Sequence, residues 1–217
     1  RHVGTPRDAV TARYNEHFHA YFARVLPQAL RSALRAEAGM CVRKGVSPWH
    51  RSNPFWRYVA LQSLVLIAAF AVGGWAGVGL ILFQALVAIW QLELVNYVEH
   101  YGLTRKHLGD GRYEAVRPCH SWNANHRATN WLLINLQRHS DHHTKPGRPF
   151  PLLQPQEPGA APELPYGYPV MTLAALIPPV WRRIMNPRVR AWRKEHYPEI
   201  KDWRPYSRHA TPLPDGV

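Results

Sequence analysis

Apolar and polar positions divide the chain sharply. Residues 58–92 contain no Asp, Glu, Lys, Arg or His. At about 1.5 Å of rise per helical residue such a run far exceeds the ~30 Å hydrocarbon core of a bilayer, so one straight helix would overshoot it. Its middle reads Gly73-Gly74-Trp75-Ala76-Gly77-Val78-Gly79, where clustered glycines permit a tight turn and Trp75 prefers an interface. The pattern predicts a transmembrane helical hairpin over about 55–97, with helices at 55–72 and 77–97. Arg43, Lys44, Arg51 and Arg57 precede it, Arg105 and Lys106 follow it, and the turn is uncharged. By the positive-inside rule both ends are cytoplasmic. The competing reading, a buried hairpin of a soluble protein, is disfavoured by the length of the run.

Upstream, residues 9–35 place Phe18, Tyr21, Phe22, Val25 and Leu26 among basic positions. They predict an amphipathic helix on the membrane surface, broken near Pro27. His17 and His19, two residues apart, point to different faces and read as surface histidines. Downstream, a polar stretch at 104–118 leads to a predicted helix over 129–143, capped by Thr129 or Asn130 and stopped at Lys145-Pro146-Gly147. Trp131, Leu132, Leu133, Ile134 and Leu136 make that helix too apolar to be fully solvated. A Pro-rich loop runs to Pro169. Residues 170–194 then mix Leu173, Leu176, Ile177, Trp181, Ile184 and Trp192 with five arginines, as short amphipathic helices at a membrane interface do. The fold class expected is all-α, a partial membrane-embedded helical bundle with one transmembrane hairpin and cytoplasmic and interfacial helices. Residues 1–192 form one domain, and 193–217 are expected to be a poorly ordered tail.

Composition adds charge to this picture. Lys and Arg number 27 against 14 Asp and Glu, a net charge of +13, which suits an acidic protein, an anionic lipid surface or nucleic acid. Nucleic acid is set aside, because the basic residues are scattered among Trp and Pro and no zinc-finger spacing or RNP-like run occurs. Cys41 and Cys119 stand far apart outside any CxxC arrangement, so neither a disulfide framework nor a thiolate metal site is suggested.

The candidate chemistry is carried by histidines. His139, His142 and His143 lie at i, i+3 and i+4 of the predicted helix. His139 can therefore pair with either of the others, while His142 and His143 diverge by about 100°. That geometry can serve one metal or two neighbouring ones, and imidazole suits Fe, Zn, Cu and Ni alike. A second histidine, His100, ends the second hairpin helix, seven residues from Glu93 on the same face. An ionisable pair at a bilayer edge is a functional candidate.

Asn96-Tyr97-Val98-Glu99-His100-Tyr101-Gly102-Leu103 resembles the signature that separates alkane 1-monooxygenases from their desaturase and xylene-hydroxylase relatives. The box at 136–143, Leu136-Gln137-Arg138-His139-Ser140-Asp141-His142-His143, resembles that family's last histidine cluster, and His120-Ser121-Trp122-Asn123 is similar to a further family element. The resemblance extends to about Trp192. It implies a di-iron centre, two non-haem Fe ions held largely by neutral imidazoles, with His100, His139, His142 and His143 at ligand positions. The activity implied is terminal hydroxylation of medium- to long-chain alkanes to primary alcohols with O2 and two electrons. Candidates for orienting the ligands are Glu93, Asn96, Glu99, Asn123 and Asp141; His120 and His126 read as structural or supporting rather than ligating.

The resemblance further implies rubredoxin and its NAD(P)H-dependent reductase as electron source. An acidic rubredoxin would suit a basic docking surface including Arg182, Arg183 and Arg188, although membrane lipid headgroups would suit the same charges. The setting implied is the bacterial cytoplasmic membrane, multi-pass, with the site facing the cytoplasm. Arg1-His2-Val3-Gly4-Thr5-Pro6 resembles the residues just after the second of two upstream histidine clusters in that family, and neither cluster is in this chain. The chain is therefore expected to be a fragment that alone binds iron poorly, with His2 unable to replace the missing imidazoles. A membrane fatty-acid desaturase or related hydroxylase is the alternative enzyme reading, and a non-catalytic membrane remnant the alternative of another class.

Overall fold

A computed structural model describes residues 3–6 and 8–203. His2 and residues 204–217 of the expected tail lie outside the described residues. The regular elements among those described are all helical: α1 (Phe18–Arg43), α2 (Phe55–His100), α3 (Arg127–Leu132), α4 (His139–Thr144), α5 (Tyr168–Ala175) and α6 (Pro178–His196), with single 3-10 turns at Pro118–His120 and Phe150–Leu152. Two compact units result, Arg24–Leu92 in one and Arg1–Ala23 with Glu93–Val217 in the other.

In the Arg24–Leu92 unit, α2 is helical on both sides of Gly74, which itself takes φ 57° and ψ −147°. A Cβ on Gly77 would lie 2.3 Å from the Ala69 carbonyl oxygen. Residues eight apart in a straight helix are separated by about 12 Å, so the chain doubles back at the glycines, as the sequence pattern predicts. Glycine meets both demands, a positive φ at 74 and a close backbone approach at 77. The apolar side chains of this stretch, among them Leu64, Ile67, Val72 and Phe83, are exposed, and α2 is long and apolar enough to cross a membrane.

The predicted helix over 9–35 is displaced. It starts only at Phe18 and runs through Pro27 without interruption to Arg43. Its start is set locally, since Asn15 adopts a positive φ of 65° and the His17 ring accepts the Ala20 N–H at 3.1 Å, filling the role of an N-cap. Pro27 forfeits one backbone bond, and a helix of this length absorbs that loss.

The other unit has an aromatic centre. Tyr97 is fully buried and its ring centroid lies 5.2–5.6 Å from those of Phe18, Tyr21, Tyr101 and Trp181. Such spacing is that of favourable tilted and edge-to-face pairs. Trp181, Met185, Val189 and Trp192 form one buried stripe along α6, with the spacing of a helix face. Of the apolar residues that the sequence suggests for a membrane interface, Trp181 and Trp192 are therefore turned into this unit's own core, while Leu173 and Ile177 stay exposed. Val189 comes so close to Gly102 that a Cβ there would meet its methyl at 2.9 Å, and Gly102 has φ +71°. Order also extends beyond Trp192. The helix reaches His196, and Tyr197 and Ile200 are buried, so residues 193–203 belong to the packed unit and not to a loose tail.

The single helix predicted over 129–143 is two short helices. Ile134 and Asn135 take positive φ of 52° and 63°, and the chain reverses between α3 and α4. The cause is tertiary. Gln137 is fully buried, donates to Thr129 Oγ1 at 2.9 Å and accepts the Tyr168 N–H at 2.6 Å. A continuous helix would hold residues 129 and 137 about 12 Å apart and leave that buried amide unpaired, at a cost of about 1–3 kcal/mol per group.

Candidate metal centre

Two helix ends build the centre. Glu93, Tyr97 and His100 are buried on α2 at i, i+4 and i+7 spacing, so His100 is carried inward at the last turn. On α4, His139 and His143 stand one turn apart on one face. Their Nε2 atoms are 2.8 Å apart and lie 3.2 Å and 3.4 Å from His100 Nε2. Nitrogens bonded to one ion at about 2.0–2.1 Å are separated by roughly 3 Å. The triangle therefore matches three imidazoles on a common metal, and the three residues form a cluster able to hold one. The donor chemistry agrees. Burial first, then the neighbouring imidazoles, pushes His139 well below its ordinary value and His143 down to about 3, so both rings stay neutral near pH 7 and present lone pairs.

His142 lies apart from that triangle. Its ring stacks on Phe150 with centroids 5.0 Å apart, and its Nδ1 is buried without a hydrogen-bond partner. Nδ1 of His139 is likewise without a hydrogen-bond partner. Glu99 Oε1 sits 3.3 Å from His139 Nδ1, within ion-pair range but outside hydrogen-bond geometry. A carboxylate there can hold the Nδ1 proton and orient the ring toward a metal on Nε2.

The other candidates fall in distinct places. Asn123 accepts the Ser140 N–H at 2.9 Å and donates to Ser140 Oγ at 2.6 Å, pinning the first turn of α4. Asp141 faces away from the rings in its bonds, accepting from Arg148 at 2.6 Å and from the Gln154 N–H at 2.9 Å, and so fixes the loop after the box. Glu93 accepts from Tyr21 at 2.8 Å and from Asn96 at 3.4 Å, which ties α2 to α1 within the aromatic core. His120 is fully buried, accepts the Arg117 N–H on Nδ1 at 2.9 Å and meets Tyr197 Oη with Nε2 at 2.7 Å. Both its nitrogens are occupied by protein groups. Arg182 donates to the Asn15 carbonyl at 3.3 Å and Arg188 to the Ile184 carbonyl at 2.6 Å, leaving Arg183 as the exposed member of that trio.

Sequence reasoning passed over Trp122. Its backbone N–H donates to the Glu99 carbonyl and its indole N–H to the Tyr101 carbonyl, each at 2.9 Å, so one residue grips the chain on both sides of His100. Ser140, Gln137 and Tyr168 were missed as well. Only the sequence position of Trp122 beside Asn123 hinted at such a role, because long-range partners leave no periodicity.

Comparison with known proteins matches the chain to a family. The model of the fatty acid desaturase family matches residues 1–175. The chain belongs to that family. Among curated relatives it is 41% identical over 191 residues to alkane 1-monooxygenase 2 of Pseudomonas aeruginosa, and 42% identical over 193 residues to alkane 1-monooxygenase 1 of the same organism. Each alignment covers 88% of this chain and 50% of the relative. Alkane 1-monooxygenase of Acinetobacter baylyi is 38% identical over 199 residues, 92% of this chain and 47% of the relative. The chain thus spans about half the length of the curated relatives it matches. In this desaturase-family chain the histidine triangle falls at residues 100, 139 and 143, all inside the matched region.

Proposed function

We propose that this chain supplies part of the metal centre of a membrane-embedded alkane 1-monooxygenase, an oxidoreductase that converts medium- to long-chain alkanes to primary alcohols. The observation that carries the reading is the convergence of three imidazole nitrogens, from buried His100 and His139 and half-buried His143, at the end of a helix apolar enough to cross a membrane. The names of the relatives, met over most of this chain, supply the substrate class.

The metal assigned is a non-haem di-iron pair. His100, His139 and His143 fit one ion, and His142, one position from His143 with an unbonded buried Nδ1, is assigned to the second. Iron held there supplies O2 activation, and neutral imidazole donors leave it more electrophilic than carboxylates would. The protein's own part is positional: Glu99 holds a proton on His139 Nδ1, Trp122 and Asn123 fix the backbone that carries His100 and α4, and the apolar α2 offers the alkane a route from lipid. The centre is assigned to the cytoplasmic face of the bacterial inner membrane, with electrons from rubredoxin and its NAD(P)H-dependent reductase. Of the proposed docking arginines, Arg183 is the one whose charge is freely presented.

The family match keeps a second reading in view, acyl desaturation. A chimera separates the two. The P. aeruginosa alkane 1-monooxygenase 2 carries this chain in place of its aligned residues, is expressed in membranes, and is given an alkane, a fatty acyl substrate, rubredoxin, reductase and NADH. Primary alcohol formed from the alkane, and lost on His139→Ala, is the expected outcome. An unsaturated acyl product with no alcohol would overturn the assignment in favour of desaturation.

A further inference from the structure

The Arg24–Leu92 unit contains a groove of about 370 Å³ lined by Leu34, Ala38, Pro48, Trp49, Trp56 and Val59, with few polar atoms in its walls. That volume falls in the range of about 300–1,000 Å³ usual for sites that hold small, largely apolar ligands. The groove is built into the fold. Asn53 donates to the Pro48 carbonyl at 2.8 Å and accepts the Phe55 N–H at 3.0 Å, which fixes the loop that forms one wall. The Trp56 indole donates to the Trp49 carbonyl at 3.3 Å, and the two indoles pack with centroids 6.3 Å apart. Trp49 is nevertheless 80% exposed. The groove opens where α2 begins, at Phe55.

The surrounding segment is strongly cationic. Arg31, Arg35, Arg43, Lys44, Arg51 and Arg57 are all exposed, none forms an ion pair among the described residues, and Glu37 is the one acid between residues 24 and 57. An apolar slot, a tryptophan pair of the kind that settles at headgroup level, and six unneutralised cations describe one ligand. We propose that this groove binds an anionic phospholipid, with one acyl chain against Ala38, Trp49 and Val59 and the phosphate-bearing headgroup held by Arg51 and Arg57. The inference rests on α2 lying in a bilayer and is independent of the alkane reading. A second copy of this face is the wrong occupant, because it would bring a further six cations against the first six.

The test uses the full chain, purified in detergent, stripped of lipid and titrated with phosphatidylglycerol or phosphatidylcholine, with bound lipid read by native mass spectrometry. Phosphatidylglycerol is expected to bind on the order of tenfold more tightly. Each cation near an anionic surface contributes roughly fivefold, so the exposed pair Arg51→Gln with Arg57→Gln should bring phosphatidylglycerol down to the phosphatidylcholine level. Ala38→Phe, which fills the slot, should lower retention of both lipids, and glycerophosphoglycerol, which lacks acyl chains, should not compete. Equal binding of the two lipids, an unaltered double Gln variant, competition by the chain-free headgroup, or protein dimers that form in place of lipid complexes would each overturn the proposal. The double Gln variant changes only exposed side chains, so its result stands even where Ala38→Phe fails to fold.

Discussion

Two buried histidine sites in one unit, the triangle of His100, His139 and His143 and the lone His120, differ in what their ring nitrogens meet. His120 finds a backbone N–H on one nitrogen and the Tyr197 hydroxyl on the other, and Glu114 Oε1 stands 3.3 Å away. The donor on Nδ1 places the ring proton on Nε2, so every polar atom is served by protein. In the triangle, nitrogen meets nitrogen at 2.8–3.4 Å. Neutral rings cannot satisfy three such contacts among themselves, because each Nε2 is either a donor or an acceptor, and among three of them at least two are alike. Burial is common to both sites, and burial lowers the affinity of each for protons. What separates a structural histidine from a candidate ligand is therefore that the Nε2 atoms of the triangle face one another in place of a protein donor or acceptor, an arrangement that a shared cation fits.

The contrast is broken most forcefully by truncation. In the chimera with the P. aeruginosa relative, His139→Ala should weaken iron retention beyond the ~100-fold that loss of a mere supporting group can cost, read by iron analysis along a chelator titration. His120→Ala in the same assay should move it by less than about threefold; comparable losses would erase the distinction. Glu99→Gln should fall between, at roughly 10–100-fold, because the side chain 3.3 Å from His139 Nδ1 would no longer orient that ring as the carboxyl does. For stability the order reverses. His120→Ala removes the acceptor of the Arg117 N–H and one partner of Tyr197, which keeps its bond to Glu114, at about 1–3 kcal/mol in all, measured as the shift in thermal unfolding of the detergent-solubilised chain. Trp122→Phe removes one hydrogen bond beside His100, worth ~1 kcal/mol, and should change iron retention only a few-fold. An unaltered melting temperature would show that the indole contact contributes little.

The smallest effect concerns pH. Burial alone would raise the Glu114 carboxyl, but hydrogen bonds from His120, the Lys106 N–H and Tyr197 bring it down to about 2, against an ordinary 4.5. A carboxylate depressed in the folded state contributes stability that is complete above its ordinary value and is lost as pH falls toward its folded one. Unfolding temperature should thus decline between about pH 4.5 and pH 2, and Glu114→Gln should flatten that window. A wild-type profile indistinguishable from that of the variant would remove Glu114 from the network around His120.

Much of the candidate site was legible before any coordinates. His139 and His143 are four apart, and a helix of six residues suffices to set them on one face, whatever happens further away. The glycine cluster at 73–79 marked the reversal of α2 because conformational freedom is a property of the residue itself. What was not legible shares one cause, dependence on partners remote in sequence. The break at Ile134 and Asn135 serves Gln137, whose partners Thr129 and Tyr168 lie on either side of it. His142 stacks on Phe150 with ring centroids 5.0 Å apart and stands outside the triangle, a placement that its sequence position does not reveal. Asp141 was expected beside the rings, but Arg148 and Gln154 claim its carboxylate.

By itself the sequence determined which segment can cross a membrane, where that segment turns back, and which imidazoles share a turn, since hydrophobic run length, glycine freedom and i, i+4 spacing are local quantities. Tertiary structure alone decided that His100 meets His139 and His143, that Trp122 grips the chain around His100, and that the stripe on α6 turns inward. Each of these joins residues separated by tens of positions, and only the packing of buried surfaces and the pairing of buried polar atoms can choose among the many partners that spacing leaves open.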